Sequence, residues 1–218
     1  MHVWDRHGVL VYEDAVPGMG HMNGIGIDKD DNIYMMVAAR RLISGRNYDP
    51  KLPRDVSCTL MKVRARKTKV LSTGGRRPVP LLKASRPGRP LDFWSQWTGG
   101  AWIEGVDWFF GGVGFNPRGC ICWNSRLDLD YFNRSFAPEP LRFSVAVVDS
   151  NGNLILRAGR YGNVDDNGIA LMHACYVATH TDRRLFIADA GNARIVSVKL
   201  GYHKTETVTL KDVPGRAR

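Results

Sequence analysis

The residues of this chain whose types could do chemistry begin with its thiols. Cys120-Ile-Cys122 and His173-Ala-Cys175 each place two soft ligands one residue apart, and on a β-strand that spacing turns both side chains to one face. Brought together, three thiolates and an imidazole would hold zinc or make a copper centre. Structural zinc sites usually separate their cysteines by roughly two to four residues, so two readings without metal stand beside this one. The first is a disulfide from Cys120 or Cys122 to Cys175, and the second is inert buried thiols.

A second set comprises His21, His173 and His180 with Asp28, Asp107 and Asp189. His21 precedes one expected inner strand and His180 closes another, so the two are expected on one rim of a ring. Neutral imidazoles there could bind a divalent ion such as zinc, calcium or copper and polarise a water or carbonyl. The competing reading makes Asp28 and Asp189 turn residues that accept backbone N–H bonds. Glu104 lies with Asp107 in WIEGVDW among several tryptophans, and apolar surroundings would raise its pKa and suit it to acid or base work. The favoured reading is that the tryptophans pack between sheets and the acids bind turn N–H groups or arginines. Catalytic candidates are therefore His21, His180 and Glu104. No Gly-x-Ser-x-Gly or His-Glu-x-x-His motif accompanies them.

The elements that must position these residues are strands. Residues 176–210 contain four runs rich in Val, Ile, Tyr, Thr and Phe (176–179, 185–188, 194–200, 205–210) at hairpin spacing, which predicts a four-stranded antiparallel meander. One such sheet has too small an apolar face to stand alone, so it must pack between similar sheets. GIGIDKDDNIYMMVA at 24–38 matches YVATHTDRRLFIADA in phase, and HVWDRHGVLVYED matches AVVDSNGNLILRA, with Gly8 and Gly152 at the turn position that tolerates positive φ. The fold class is all-β, a propeller of four-stranded antiparallel blades with about three and a half present, part of a six- or seven-bladed ring. Its single domain, 1–218, divides into a half blade at 1–14, a blade at 20–73 with an insertion at 39–58, a blade at 101–159 with an insertion at 114–140, and a blade at 172–210. The strand at 101–113 is expected to be an inner one, and 60–66 an outer strand with charge on one face. Missing blades would come from further chain or from another copy.

Ala188-Asp189-Ala190-Gly191-Asn192-Ala193-Arg194-Ile195 resembles the signature of the NHL repeat, and LDYFNRSFAPE and FSVAVVDSNGNLILRAGRYGNVDD extend the likeness over most of 120–210. The resemblance implies an NHL-type propeller, with gluconolactonase-type hydrolases and the peptidyl-hydroxyglycine lyase domain as wider relatives that bind metal at a central tunnel. It implies a scaffold and no particular reaction.

Charge supplies the remaining signal. The 218 residues carry 31 Lys and Arg against 21 Asp and Glu, a net +10. Between Arg40 and Arg89 fifteen basic residues face two acidic ones, so this window holds +13 and the rest −3. Lys62, Arg64, Lys67, Lys69, Arg76 and Arg77 are the anion-binding candidates, with RNA as one conceivable partner. Tyr48 is the sole aromatic in this window that could stack on a base, which favours a solvated face instead. No apolar run approaches the roughly 18 residues of a membrane span, and the first residues lack the plan of a signal peptide. The sequence thus points first to a scaffold that binds a ligand or a protein partner through loops at 39–58, 74–100 and 114–140. Second comes a metal-assisted lyase or hydrolase.

Overall fold

A computed structural model of the chain describes residues 1–18, 21–51, 57–74, 81–96, 99–115 and 125–201. Among them there is no α-helix; the order is β1 (Val3–Trp4), β2 (Leu10–Tyr12), β3 (Met22–Ile27), β4 (Asn32–Val37), β5 (Arg40–Ile43), β6 (Arg46–Asn47), β7 (Cys58–Arg64) and β8 (Lys69–Ser72). There follow β9 (Phe93–Ser95), β10 (Gly99–Glu104), β11 (Val106–Val113), β12 (Asp128–Leu129), β13 (Ser135–Glu139), β14 (Ser144–Val148) and β15 (Leu154–Ala158). The last five are β16 (Arg160–Tyr161), β17 (Ala170–Leu171), β18 (Ala174–His180), β19 (Arg184–Asp189) and β20 (Arg194–Lys199).

Four sheets stack face to face as blades of a partial β-propeller. The first blade is β3-β4-β7-β11, the second β12-β13-β14-β15, and the third β18-β19-β20. A five-stranded sheet, β6-β5-β9-β10-β8, lies against the outer face of the first blade. Period-two alternation explains the stacking. On β4, Ile33, Met35 and Val37 face the five-stranded sheet with Phe93, Ala101 and Ile103, whereas Tyr34 and Met36 face the second blade with Leu127, Ala137 and Ala146. Phe136, Val145 and Val147 use the other face of the second blade to meet Val177, Leu185 and Ile187 of the third. Central strands buried on both faces must be apolar at nearly every position, as β4 and β14 are.

The inner strands lie side by side. The Arg126 N–H donates to the Cys175 carbonyl at 2.9 Å, and the Thr179 N–H and hydroxyl donate to the Asp128 carboxylate at 2.6 and 2.8 Å. Gly24 and Gly26 leave room for this approach, since a Cβ on Gly26 would stand 2.7 Å from Leu129.

Five turns share one construction. The turns beginning at Asp5, Asp28, Asp130, Asp149 and His180 each place a positive-φ residue three positions on: Gly8, Asp31, Asn133, Gly152 and Arg183. In the four that begin with Asp, Oδ1 accepts the N–H groups two and four residues later at 2.8–3.0 Å. This is the turn chemistry expected for Asp28.

Three expectations require correction. Residues 101–113 form no single inner strand: Gly105, at φ +69°, reverses the chain between β10 and β11, and β11 is the outer strand of the first blade. The strand carrying Lys62 and Arg64 is accordingly interior to its sheet, between β4 and β11. The segments 39–58 and 74–100 are not plain loops, because β5, β6 and β9 within them build the five-stranded sheet. In the same way the excursion at 114–140 contains β12 and β13, the two inner strands of the second blade. Pro138, Pro140 and a turn without glycine disguise them in sequence. The fourth run of the last meander, 205–210, lies outside the described residues.

Candidate functional site

The tight turns Asp28–Asn32, Asp130–Arg134 and His180–Arg184 mark one end of the stack. The opposite end carries the connections between second and third strands: the long one holding β5 and β6, and the 3₁₀ turns Pro140–Arg142 and Ala190–Asn192. That second end is where side-chain chemistry is concentrated.

Two fully buried carboxylates occupy matching positions there. Glu139 ends β13 and Asp189 ends β19, each followed by a 3₁₀ turn and then a left-handed residue, Phe143 at φ +56° and Ala193 at φ +50°. Glu139 accepts from Arg157 Nε and Nη2 at 2.7 and 3.1 Å and from the Ser144 hydroxyl at 2.8 Å. Asp189 accepts the Met172 and His173 N–H groups at 3.1 and 2.8 Å and the Asn192 amide at 2.6 Å. Arg142 reaches from its 3₁₀ turn to Asp49, tying the β5–β6 excursion to the second blade. These carboxylates are neutralised and saturated, so they organise the face and are poor candidates for proton transfer. Neither an apolar-run search nor a motif search finds Glu139; the signal that could have is its in-phase match to Asp189.

The β5–β6 hairpin turns at Ser44-Gly45, both at positive φ (+51° and +78°), as a two-residue hairpin requires. Arg40 and Trp94 are cross-strand partners on β5 and β9, and the Arg40 guanidinium lies 4.7 Å from the indole centroid. Between this hairpin, Leu91 and Trp94 opens a cleft of about 620 Å³, whose lining among the described residues includes Arg40, Arg46 and Asn47 and no carboxylate. Next to it, Arg41 stacks on Phe109 at 4.1 Å, and burial lowers its pKa against a smaller opposing pull from Asp92.

The sequence candidates distribute as follows. By strand register the counterpart of His21 is His173, each accepting an N–H at its carbonyl from the end of the neighbouring strand (Ala38 and Ala190). His180 stands at the other end of its strand, as the counterpart of Asp28, so the structure does not bring His21 and His180 to one rim. Its Nδ1 sits 2.8 Å from Asp182, whose pKa is lowered by that contact and by Arg184. Glu104 is solvent-exposed on β10 and pairs with Lys69 at 3.1 Å, which removes the desolvation argument for it. Asp107 pairs with Arg64 at 3.4 Å.

Cys120 and Cys122 lie outside the described residues, as do Arg76 and Arg77. Cys175 is a buried free thiol, and the disulfide expected for it calls on partners outside the described residues. Burial raises its pKa, and it pushes the Cys58 thiol up to about 12. Among the described residues no three His, Cys, Asp or Glu side chains gather as a metal site requires. The residues described thus do not fit the metal that the tunnel reading implies. Of the basic candidates, Lys62 lies over the Tyr34 ring and reaches the Ser150 carbonyl at 3.4 Å. With Arg64 and Lys69 also engaged, three of the four described basic candidates hold neighbours, and Lys67 is the fourth.

No family model matches the chain, and neither does any curated protein. Among solved structures it is similar to a protein of unknown function from Bacteroides caccae, at 12% identity over 88% of this chain and 83% of that one, with a TM-score of 0.29. It is also similar to a virginiamycin B lyase from Staphylococcus aureus, at 10% identity over 86% and 71%, with a TM-score of 0.26. Neither likeness transfers a residue role.

Proposed function

We propose that this chain is an NHL-like propeller scaffold whose cleft between the β5–β6 hairpin and Trp94 binds an anionic ligand carrying a planar group. The observation behind this reading is the lining of that cleft, in which, among the described residues, two arginines and an asparagine surround an indole with no acidic side chain. Its volume of about 620 Å³ falls within the roughly 300–1,000 Å³ typical of small-ligand sites. Guanidinium groups suit carboxylate, sulfate or phosphate because their planar donor fork matches two oxygens. Trp94 holds one fork in place and offers a face for a flat group. The two segments that supply the lining, 40–50 and 91–94, are parts of the expected functional loops. The NHL character rests on the repeated carboxylate, 3₁₀ turn and left-handed residue at Glu139–Phe143 and Asp189–Ala193.

Titration of the intrinsic tryptophan fluorescence with benzoate, phenyl phosphate and naphthalene sulfonate tests the reading. At least one probe is expected to bind, with Arg46→Ala weakening it about tenfold or more through loss of a charged hydrogen bond. Failure of all three to bind at millimolar concentration, or binding indifferent to Arg40→Ala and Arg46→Ala, overturns it.

A further inference from the structure

The five equivalent turns, three of which mark the opposite end of the stack, permit an internal comparison. Their two tip residues are Arg6-His7, Lys29-Asp30, Tyr131-Phe132, Ser150-Asn151 and Thr181-Asp182. All five turns close in the same way, with the positive-φ residue in the same place. The backbone therefore makes no demand for aromatic side chains at the tip, and four of the turns carry polar ones. Tyr131 and Phe132 nevertheless stand 88% and 64% exposed, edge to face with centroids 5.5 Å apart. They are not loosely held. Asp130 accepts the Phe132 and Arg134 N–H groups, and the Arg134 guanidinium pairs with Asp130 and lies 5.0 Å from the Phe132 ring.

Beside these rings is a cleft of about 230 Å³ between the turns of the second and third blades, whose far wall includes His180, Thr181 and Arg183. It is smaller than the roughly 300–1,000 Å³ of sites for drug-sized molecules, so it has room for about one ring. Its lining carries one carboxylate, Asp130, which pairs with Arg134, and one guanidinium, Arg183, so neither sign of charge dominates it. In this it contrasts with the arginine-lined cleft at the other end.

From this geometry we propose a second binding site at Tyr131, Phe132, His180 and Thr181 for a neutral sugar ring, such as the terminal residue of a glycan. The electron-rich face of Tyr131 meets the weakly positive C–H face of a pyranose, and Phe132, nearly perpendicular to it, borders the ring. The ring hydroxyls meet the imidazole, the threonine hydroxyl and the phenol, each of which can donate and accept or do either according to tautomer. His180 is oriented for this by Asp182, 2.8 Å from its Nδ1, which leaves Nε2 as the ring atom turned to other partners.

Saturation-transfer NMR on the full chain with the methyl glycosides of glucose, galactose, mannose and N-acetylglucosamine, and with adenosine as an aromatic control, tests the proposal. At least one glycoside is expected to show transfer concentrated on the C–H protons of one ring face. The double substitution Tyr131→Lys, Phe132→Asp installs the tip of the equivalent 28–32 turn, so the thermal midpoint should hold while glycoside affinity falls about tenfold or more. Absence of transfer from all four glycosides overturns the proposal. So does binding that survives the double substitution, and so does binding of adenosine alone. Arg40→Ala leaves this site untouched, so its outcome is separable from that of the arginine cleft.

Discussion

Glu139 offers the sharpest test of how the upper face is built. Its carboxylate is fully buried, takes two hydrogen bonds from Arg157 and one from Ser144, and has the Arg142 Nε at 3.8 Å. Breaking a buried pair by deleting one partner typically costs about 3–5 kcal/mol, because the other charge is left stranded. The two deletions are not equivalent here. In Glu139→Ala the stranded group is Arg157, whose side chain is 35% exposed and can turn to water, so the cost should sit near the lower bound, about 3 kcal/mol. In Arg157→Ala the stranded group is the carboxylate at 0% exposure, left with a hydroxyl and a distant guanidinium, and the cost should approach about 5 kcal/mol. Urea unfolding of the two single variants and the double variant measures each loss, and the cycle should give a coupling energy of about 2–3 kcal/mol. Equal costs for the single variants would refute the burial argument, and coupling below about 0.5 kcal/mol would show that the pair does not act as a unit.

Asp189→Ala strips the acceptor from the Met172 and His173 N–H groups and from Asn192. At about 1–3 kcal/mol for each stranded buried donor, it should lower the unfolding midpoint markedly, while Asp189→Asn, which keeps an acceptor oxygen, should lose less. Acid should also weaken the fold. Burial works against the Asp28 charge, but hydrogen bonds from Asn32, Asp30 and Tyr34 outweigh it and hold the pKa below the usual carboxylate value. A depressed folded pKa contributes stability that is present above the unfolded value of about 3.9 and is lost as pH falls through the folded value. Asp28→Asn should therefore flatten the stability-versus-pH curve below about pH 4, and an unchanged acid limb would contradict this assignment. Finally, the Cys58 thiol, pushed up to about 12 by burial, should resist a thiol-specific chromogenic reagent at pH 8 until denaturant is added; rapid labelling of the native protein at Cys58 would show that the interface between the first two blades opens.

Much of the fold can be read directly from the residues. Alternating apolar residues at 24–38 and 176–200 specify β3-β4 and β18-β19-β20, and the two segments run in register down to the bulge before Gly24 and Tyr176. The Asp-x-x-Gly turns at 5–8 and 149–152 are equally local, since one carboxylate and one positive-φ residue close each of them. The candidate sites were less legible. Glu104 stands in a tryptophan-rich stretch of sequence, but its side chain leaves β10 on the exposed side and meets Lys69.

What the sequence determined, then, is the set of strands and turns, because side-chain period and turn chemistry act over a few residues. Tertiary structure decided which strands pair. β11 joins β7 across more than forty intervening residues, β5 and β9 leave apparent loops to build the five-stranded sheet, and Glu139 gains Arg157 from two strands away. Those choices follow from burying both faces of each central strand at once. That condition belongs to the stacked sheets together, and no single segment of sequence contains it.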